Sequence, residues 1–102
     1  MIKITVSKKG DEVKKIVIEG HAGYAQEGYD IYCASVSSVY LCCASALDEM
    51  SFKHEEKSGY TYLGATKKPS SHDEIVLDVL VKGLEALSKT YPKYIKFKGE
   101  KI

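Results

Sequence analysis

The sequence lacks the segments that would direct a chain into or across a membrane. Its first residues, M-I-K-I-T-V-S-K-K, contain no apolar stretch and no small-residue cleavage site. No later segment approaches the roughly 18 uninterrupted apolar residues that a membrane-spanning helix needs. We therefore expect a cytoplasmic protein with no membrane partner.

The sequence also lacks an excess of charge of either sign. Fifteen basic residues stand against fourteen acidic ones, which gives a formal net charge of +1. A protein with almost no net charge has no long-range electrostatic attraction to the phosphates of nucleic acid. No direct contact with nucleic acid is expected.

Metal-ligand spacings are absent as well. Among three cysteines and three histidines there is no C-x-x-C or H-x-x-x-H pair, so neither a metal site nor a cofactor is predicted. Three cysteines cannot all pair within one chain, and the neighbours Cys42 and Cys43 diverge on a predicted helix. Free thiols in a reducing compartment are the simpler interpretation.

What is present is the composition of an ordinary globular domain. A charged fraction of 28 % and a hydrophobic fraction of 44 % are typical of such domains. With 102 residues there is room for one core. We expect a single domain over residues 1–102.

Alternating apolar and polar residues predict five strands. The first hairpin pairs a strand at residues 2–7, where Ile2, Ile4 and Val6 alternate with polar residues, with a strand at 13–19. A second hairpin is predicted at 52–57 and 60–66 around the turn Ser58-Gly59, and a last strand near 95–97.

Spacings of three and four predict two helices. The first begins after the cap Asp30 and carries an apolar stripe: Val36, Val39, Tyr40, Cys43, Leu47 and Met50. In the second, Ser71 and Glu74 have capping-box spacing, and the helix ends before Pro92. Its predicted stripe is Ile75, Val76, Val79, Leu80, Leu84 and Leu87. The order ββαββαβ predicts an α/β fold of the α+β type, a two-layer sandwich with two helices on one face of a mixed, largely antiparallel sheet.

His21 and Cys33 lie on either side of a glycine-bearing loop between a predicted strand and a predicted helix. Helix-start amides and the helix dipole favour a thiolate there. A cysteine protease needs that nucleophile, an imidazole as base and acid, and donors for the oxyanion. Cys33 can supply the first, His21 the second, and the amides of Cys33 and Ala34 are candidates for the third. The alternative is a buried structural thiol beside an unrelated loop histidine.

The residues between this pair suggest supporting roles. Asp30 can cap the helix or orient the His21 imidazole, and the sequence leaves both roles open. Glycines give the loop the freedom to order around a bound peptide. The residues expected to form this substrate-binding loop are Gly23, Tyr24, Gly28, Tyr29 and Tyr32. The tyrosines can line a groove for apolar or aromatic side chains, or belong to the core.

The stretch G-H-A-G-Y-A-Q-E-G-Y-D-I-Y-C-A-S-V-S at 20–37 resembles the signature of the bacterial ribosomal-processing cysteine protease family, Prp or YsxB-like. The matching residues are His21-Ala22, Gly28, Asp30-Ile31, Cys33-Ala34 and Val36-Ser37. The resemblance implies that Cys33 is the nucleophile and His21 the base and acid, with Asp30 and Ser37 in support.

The same resemblance implies a substrate and an assembly. Family members are small homodimers that remove a short N-terminal extension from the large-subunit ribosomal protein twenty-seven, cutting after an aromatic residue. We therefore expect a homodimer whose partner is that extension peptide. The alternative is a non-catalytic ribosome-associated module that binds protein or RNA.

Overall fold

The computed structural model describes residues 1–23 and 30–102. Within these ranges the chain forms five strands and two α-helices, with a short 3₁₀ helix at Glu49–Ser51. In chain order they are β1 (Ile2–Lys9), β2 (Glu12–Glu19), α1 (Ile31–Ala44), β3 (Phe52–Lys57), β4 (Tyr60–Ala65), α2 (Ser71–Thr90) and β5 (Ile95–Lys101).

The strands form one sheet in the order β3-β4-β2-β1-β5. Neighbouring strands are antiparallel except for β1 and β5, which are parallel, with Ile2 opposite Ile95 and Ile4 opposite Phe97. β5 lies at the edge of the sheet next to β1. It can run parallel to β1 because α2 carries the chain back across the sheet between β4 and β5. The predicted fold class and the order ββαββαβ are confirmed.

Alternation in the strands places one face of the sheet in the core. Ile2, Ile4 and Val6 of β1 are buried and share one apolar cluster with helix residues such as Leu80 and Leu84. Burying an aliphatic side chain of this kind contributes about 1.5–3 kcal/mol. The apolar periodicity of β1 therefore fixes which face of the sheet the helices cover.

The first helix is shorter than predicted, and its apolar residues do not form one stripe. It ends at Ala44, so Leu47 and Met50 lie beyond it, and Met50 is 76 % exposed. Ile31 and Leu41 of α1 are exposed while Val36 and Tyr40 are buried. Apolar residues thus lie on several sides of the helix, which is why spacing alone misjudged its length.

The residue that caps the second helix lies one position before the predicted cap. The side chain of Ser70, not Ser71, accepts the amide of Asp73 at 3.2 Å. The buried stripe consists of Leu77, Leu80 and Leu84, whereas the predicted members Ile75 and Val79 are exposed. The C-terminal prediction is confirmed, since α2 ends at Thr90 before Tyr91-Pro92. Neither α1 nor α2, nor any other helix in residues 1–23 and 30–102, is long and apolar enough to cross a membrane.

Candidate active site

A cavity of about 630 Å³ lies between α1 and the hairpin formed by β3 and β4. Four of the residues singled out from the sequence line it: His21, Asp30, Cys33 and Ser37. Apolar side chains of Ile2 and Ile18 line it as well. The fold therefore gathers residues from the end of β2 and from two turns of α1 around one space.

Cys33 is the third residue of α1, and its thiol is partly buried. The backbone N–H of Ala22 donates to its Sγ, with a nitrogen-to-sulfur distance of 3.4 Å. An N–H donated to sulfur stabilises negative charge on it, as does the positive end of the helix dipole. Because Ala22 follows His21 directly, the same bond ties the histidine's backbone to the thiol.

Asp30 caps α1 from a buried position. Its backbone is extended (φ −81°, ψ 108°), and its Oδ1 accepts the amides of Tyr32 at 2.9 Å and Cys33 at 3.2 Å. A cap of this kind stabilises a helix by about 1 kcal/mol. The contacts of Oδ1 are those of an N-cap, which is one of the two roles that the sequence left open.

These capping bonds correct one prediction from the sequence. The amides of Cys33 and Ala34 were expected to be free to bind an oxyanion. In the structure Cys33 donates to the Asp30 side chain and Ala34 to the Asp30 carbonyl at 3.0 Å. The amide of Ala22 is instead the donor that reaches the thiol.

The turn between β3 and β4 holds the imidazole of His21 from the other side. Gly59 has φ +71°, and a Cβ built on it would lie only 2.8 Å from His21 Nε2. The amide of Gly20 donates to the Gly59 carbonyl at 2.9 Å, and the Met1 nitrogen donates to the His21 carbonyl. The sequence predicted the turn Ser58-Gly59, but no local signal connects it with a histidine 38 positions earlier.

The loop residues predicted to bind substrate have different outcomes. Gly23 has φ +74°, and no atom of the described residues lies within 4 Å of a Cβ built on it. The ring of Tyr32 stacks on Tyr94 with centroids 4.3 Å apart and meets Tyr91 edge-on at 5.1 Å. It thereby anchors the first turn of α1 to the segment before β5. Tyr24, Gly28 and Tyr29 lie outside the described residues.

Tyr40 lines the cavity, although its spacing in the sequence predicts only a place in the apolar stripe of α1. Its side chain is 1 % exposed, yet its hydroxyl has no hydrogen-bond partner in the described part of the chain. Burial, followed by the negative charge of Glu56, raises the pKa of Tyr40 to about 12. The group therefore stays protonated and able to donate through the neutral range. An unpartnered hydroxyl cannot be recognised from spacing, because it depends on what surrounds the side chain.

A thiol, an imidazole and a helix start around one cavity, on a two-layer α/β fold, define a protein of the thiol-hydrolase class. Residues 1–96 match the model of the family described as Cysteine protease Prp. The chain belongs to that family and is a cysteine protease.

Individual relatives agree with this assignment. The chain is 29 % identical to the ribosomal processing cysteine protease Prp of Mycoplasma pneumoniae, covering 99 % of this chain and 97 % of that one. It is 21 % identical to the protein of the same name from Staphylococcus aureus, with 93 % of each covered.

Solved structures show the same fold. An S. aureus ribosomal processing protease Prp with a covalently linked product peptide superposes with a TM-score of 0.83 at 18 % identity, over 97 % of this chain and 99 % of that one. A protein from Streptococcus mutans gives a TM-score of 0.81 at 22 % identity, over 100 % and 96 %.

Proposed function

We propose that Cys33 and His21 cleave a peptide bond in a ribosomal protein, removing the N-terminal extension of the large-subunit ribosomal protein twenty-seven. The observation that carries the chemistry is the shared cavity of His21 and Cys33, with the Ala22 amide directed at the thiol sulfur. The substrate is supported by the names of the Mycoplasma and Staphylococcus relatives, which are ribosomal processing proteases.

The reaction has two halves. His21 takes the thiol proton as Cys33 Sγ bonds to the scissile carbonyl carbon, and the oxygen of the tetrahedral intermediate accepts an N–H, for which Ala22 is the candidate. The intermediate collapses, the C–N bond breaks, and His21 returns the proton to the leaving amine. Water then attacks the thioester with His21 as base, releasing the carboxylate product and the thiol.

The remaining cavity residues support this chemistry. Asp30 fixes the first turn of α1 and with it the position of Cys33. Ser37 lies one turn further along the same side of α1, where its exposed hydroxyl faces arriving substrate. We propose that Gly23, Tyr24, Gly28 and Tyr29 contact the peptide. Tyr32, of the same predicted loop, supports the site by holding the first turn of α1 against Tyr91 and Tyr94.

A homodimer in the cytoplasm is the proposed setting. Exposed apolar side chains on the helix layer, Ile31 and Leu41 of α1 and Ile75 and Val79 of α2, favour a protein–protein contact there. Sedimentation at micromolar concentration measures the assembly directly. A monomer at all concentrations contradicts the dimer and leaves the proposed chemistry standing.

Mass spectrometry of the extended ribosomal protein incubated with this enzyme tests the function. The wild type should remove the extension at one bond, and Cys33→Ala should lower the rate by about 1,000-fold or more. Cys42→Ala is the matched control, because Cys42 is an exposed free thiol on the same helix. Intact protein after incubation with wild type, or full activity of Cys33→Ala, would overturn the proposal.

A further inference from the structure

The sheet has an outer face, which points away from the two α-helices. Inward residues of β1, β2 and β4, such as Ile4, Ile18 and Leu63, belong to the core that α1 and α2 cover. Because side chains alternate along a strand, the residues between these lie on the outer face. Both described α-helices pack on the inner face, so neither of them covers the outer one.

Lysines dominate this outer face. Strand alternation and pairing place six of them there, of which Lys15 is half-buried and the others are exposed: Lys3, Lys15, Lys53, Lys57, Lys96 and Lys98. None of the six is in an ion pair with another residue of the ranges 1–23 and 30–102. Three glutamates share the face, namely Glu19, Glu55 and Glu100, and Glu100 accepts the Ser7 hydroxyl at 2.7 Å. Six lysines against three glutamates give the outer face a formal charge of +3.

The net charge of the whole chain hides this uneven distribution. The chain has fifteen basic and fourteen acidic residues, so subtracting those of the outer face leaves nine basic and eleven acidic residues elsewhere. A polyanion is therefore attracted to one side of the protein although the total charge is only +1. The expectation of no contact with nucleic acid followed from the total charge alone.

Tyr60 and Tyr62 of β4 lie among these lysines. Both are half-buried, and two residues along one strand separate them by about 7 Å. The Tyr62 ring lies across Gly64, since a Cβ built on Gly64 would be 2.8 Å from Tyr62 Cζ. Gly64 pairs with Lys15 on β2 and with Lys53 on β3. The Tyr62 ring therefore lies flat on the sheet with a lysine on each side.

This arrangement favours a polyanion that also carries flat rings. In single-stranded nucleic acid the bases can stack on an aromatic side chain while lysines neutralise the phosphates. A duplex hides the faces of its bases, and an acidic polypeptide has no bases, so each would use the lysines and leave Tyr62 unused. Of these three polyanions, only the single strand matches both features of the face.

We infer that the outer face of the sheet binds single-stranded RNA, with Tyr62 as a stacking platform and the surrounding lysines as phosphate contacts. RNA is the strand named because the proposed substrate is a ribosomal protein, and that choice rests on the proposed function. The face lies across the sheet from the thiol of Cys33. The two surfaces meet at the turn between β3 and β4, where Lys57 and Tyr60 also line the cavity.

Fluorescence anisotropy with a labelled oligouridylate of about ten nucleotides tests the binding. The wild type should bind this strand about tenfold more tightly than a blunt RNA duplex of the same length. Tyr62→Leu should weaken binding of the strand by about tenfold, whereas Tyr62→Phe should stay within about twofold of wild type. Lys53→Gln should lower the slope of log affinity against log salt by about 0.7, the share of one phosphate contact. Lys89→Gln is the matched control, since Lys89 is an exposed lysine in the last turn of α2.

Further measurements keep the test decisive. Thermal melting shows whether Tyr62→Leu is folded, and Lys53→Gln, an exposed position, carries the test if it is not. Absence of binding by the wild type, equal affinity for strand and duplex, or equal losses in Lys53→Gln and Lys89→Gln overturns the inference. Competition by polyglutamate as effective as that by unlabelled RNA overturns it too, in favour of an acidic protein partner.

Peptide cleavage by the same preparations separates this inference from the proposed function. Folded Tyr62→Leu protein should cleave peptide within about twofold of the wild-type rate, because Tyr62 is on the outer face. RNA binding without peptide cleavage by the wild type overturns the peptidase function alone. Peptide cleavage without RNA binding overturns the RNA-binding face alone.

Discussion

Asp30 and Asp73 are buried carboxylates at the starts of the two helices, and they bind different parts of the molecule. Asp30 accepts amides of its own helix, those of Tyr32 and Cys33. Asp73 lies inside α2, where its Oδ2 accepts the amide of Asp48, 25 residues earlier, at 3.2 Å. Its Oδ1 lies 3.0 Å from His72 Nδ1. Asp30 therefore orders the first turn of its own helix, whereas Asp73 joins segments that are distant in the chain.

The first turns differ in charge as well. Asp73 and Glu74 place two acidic residues in the first turn of α2, and Lys89 lies in its last turn, which is the favourable arrangement in the helix dipole. The first turn of α1 has no acidic residue within it, only the Asp30 cap in front. If Cys33 is the nucleophile, as proposed, its turn benefits from this sparing use of negative charge, because carboxylates oppose thiolate formation.

Asp73→Ala should have the largest effect on folding. It removes a buried carboxylate together with its charge-assisted hydrogen bond to the Asp48 amide, and we expect a loss of about 2 to 3 kcal/mol in the free energy of unfolding. Chemical denaturation measures this loss. At denaturant concentrations below the unfolding transition, the kcat/KM of the variant should stay within about twofold of the wild-type value. A larger loss of kcat/KM in folded protein would contradict the purely structural role of Asp73.

Asp30→Ala should give the opposite pattern. Loss of the cap should cost about 1 kcal/mol of folding free energy, less than for Asp73→Ala. Because the first turn that holds Cys33 becomes less ordered, kcat/KM should fall by about tenfold or more. Denaturation and peptide cleavage are measured on the same preparation. If both variants lose stability and activity in the same proportion, the distinction between the two carboxylates fails.

Gly59→Ala should give the smallest effect and extends the comparison to the hairpin opposite α1. An added Cβ strains a left-handed backbone by about 1 kcal/mol and displaces the His21 imidazole, so kcat/KM should fall several-fold. Gly10→Ala is the matched control, since Gly10 has φ +62° and no atom in the described part of the chain lies within 4 Å of the added Cβ. Both variants should lose similar stability, and only Gly59→Ala should lose activity. Equal activities would show that the Gly59 turn does not position His21.

Much of the fold was predictable because it rests on local periodicity. The alternation of Ile2, Ile4 and Val6 gave the correct inward face of β1, and Tyr91-Pro92 marked the end of α2. The end of α1 was predicted wrongly, because apolar residues surround that helix on several sides and continue past Ala44 to Leu47 and Met50. Periodicity locates an element well only when one of its faces is clearly polar.

The sequence by itself determined the order of strands and helices, the family, and the pairing of His21 with Cys33 as candidates, since these depend on short-range patterns and a compact motif. Only the tertiary structure decided that the Ala22 amide reaches the Cys33 thiol, that Gly59 lies against His21, and that the buried Tyr40 hydroxyl has no hydrogen-bond partner among the described residues. Each of these depends on contacts between segments far apart in the chain. Sheet order and helix packing determine such contacts, and neither can be inferred from the spacing of neighbouring residues.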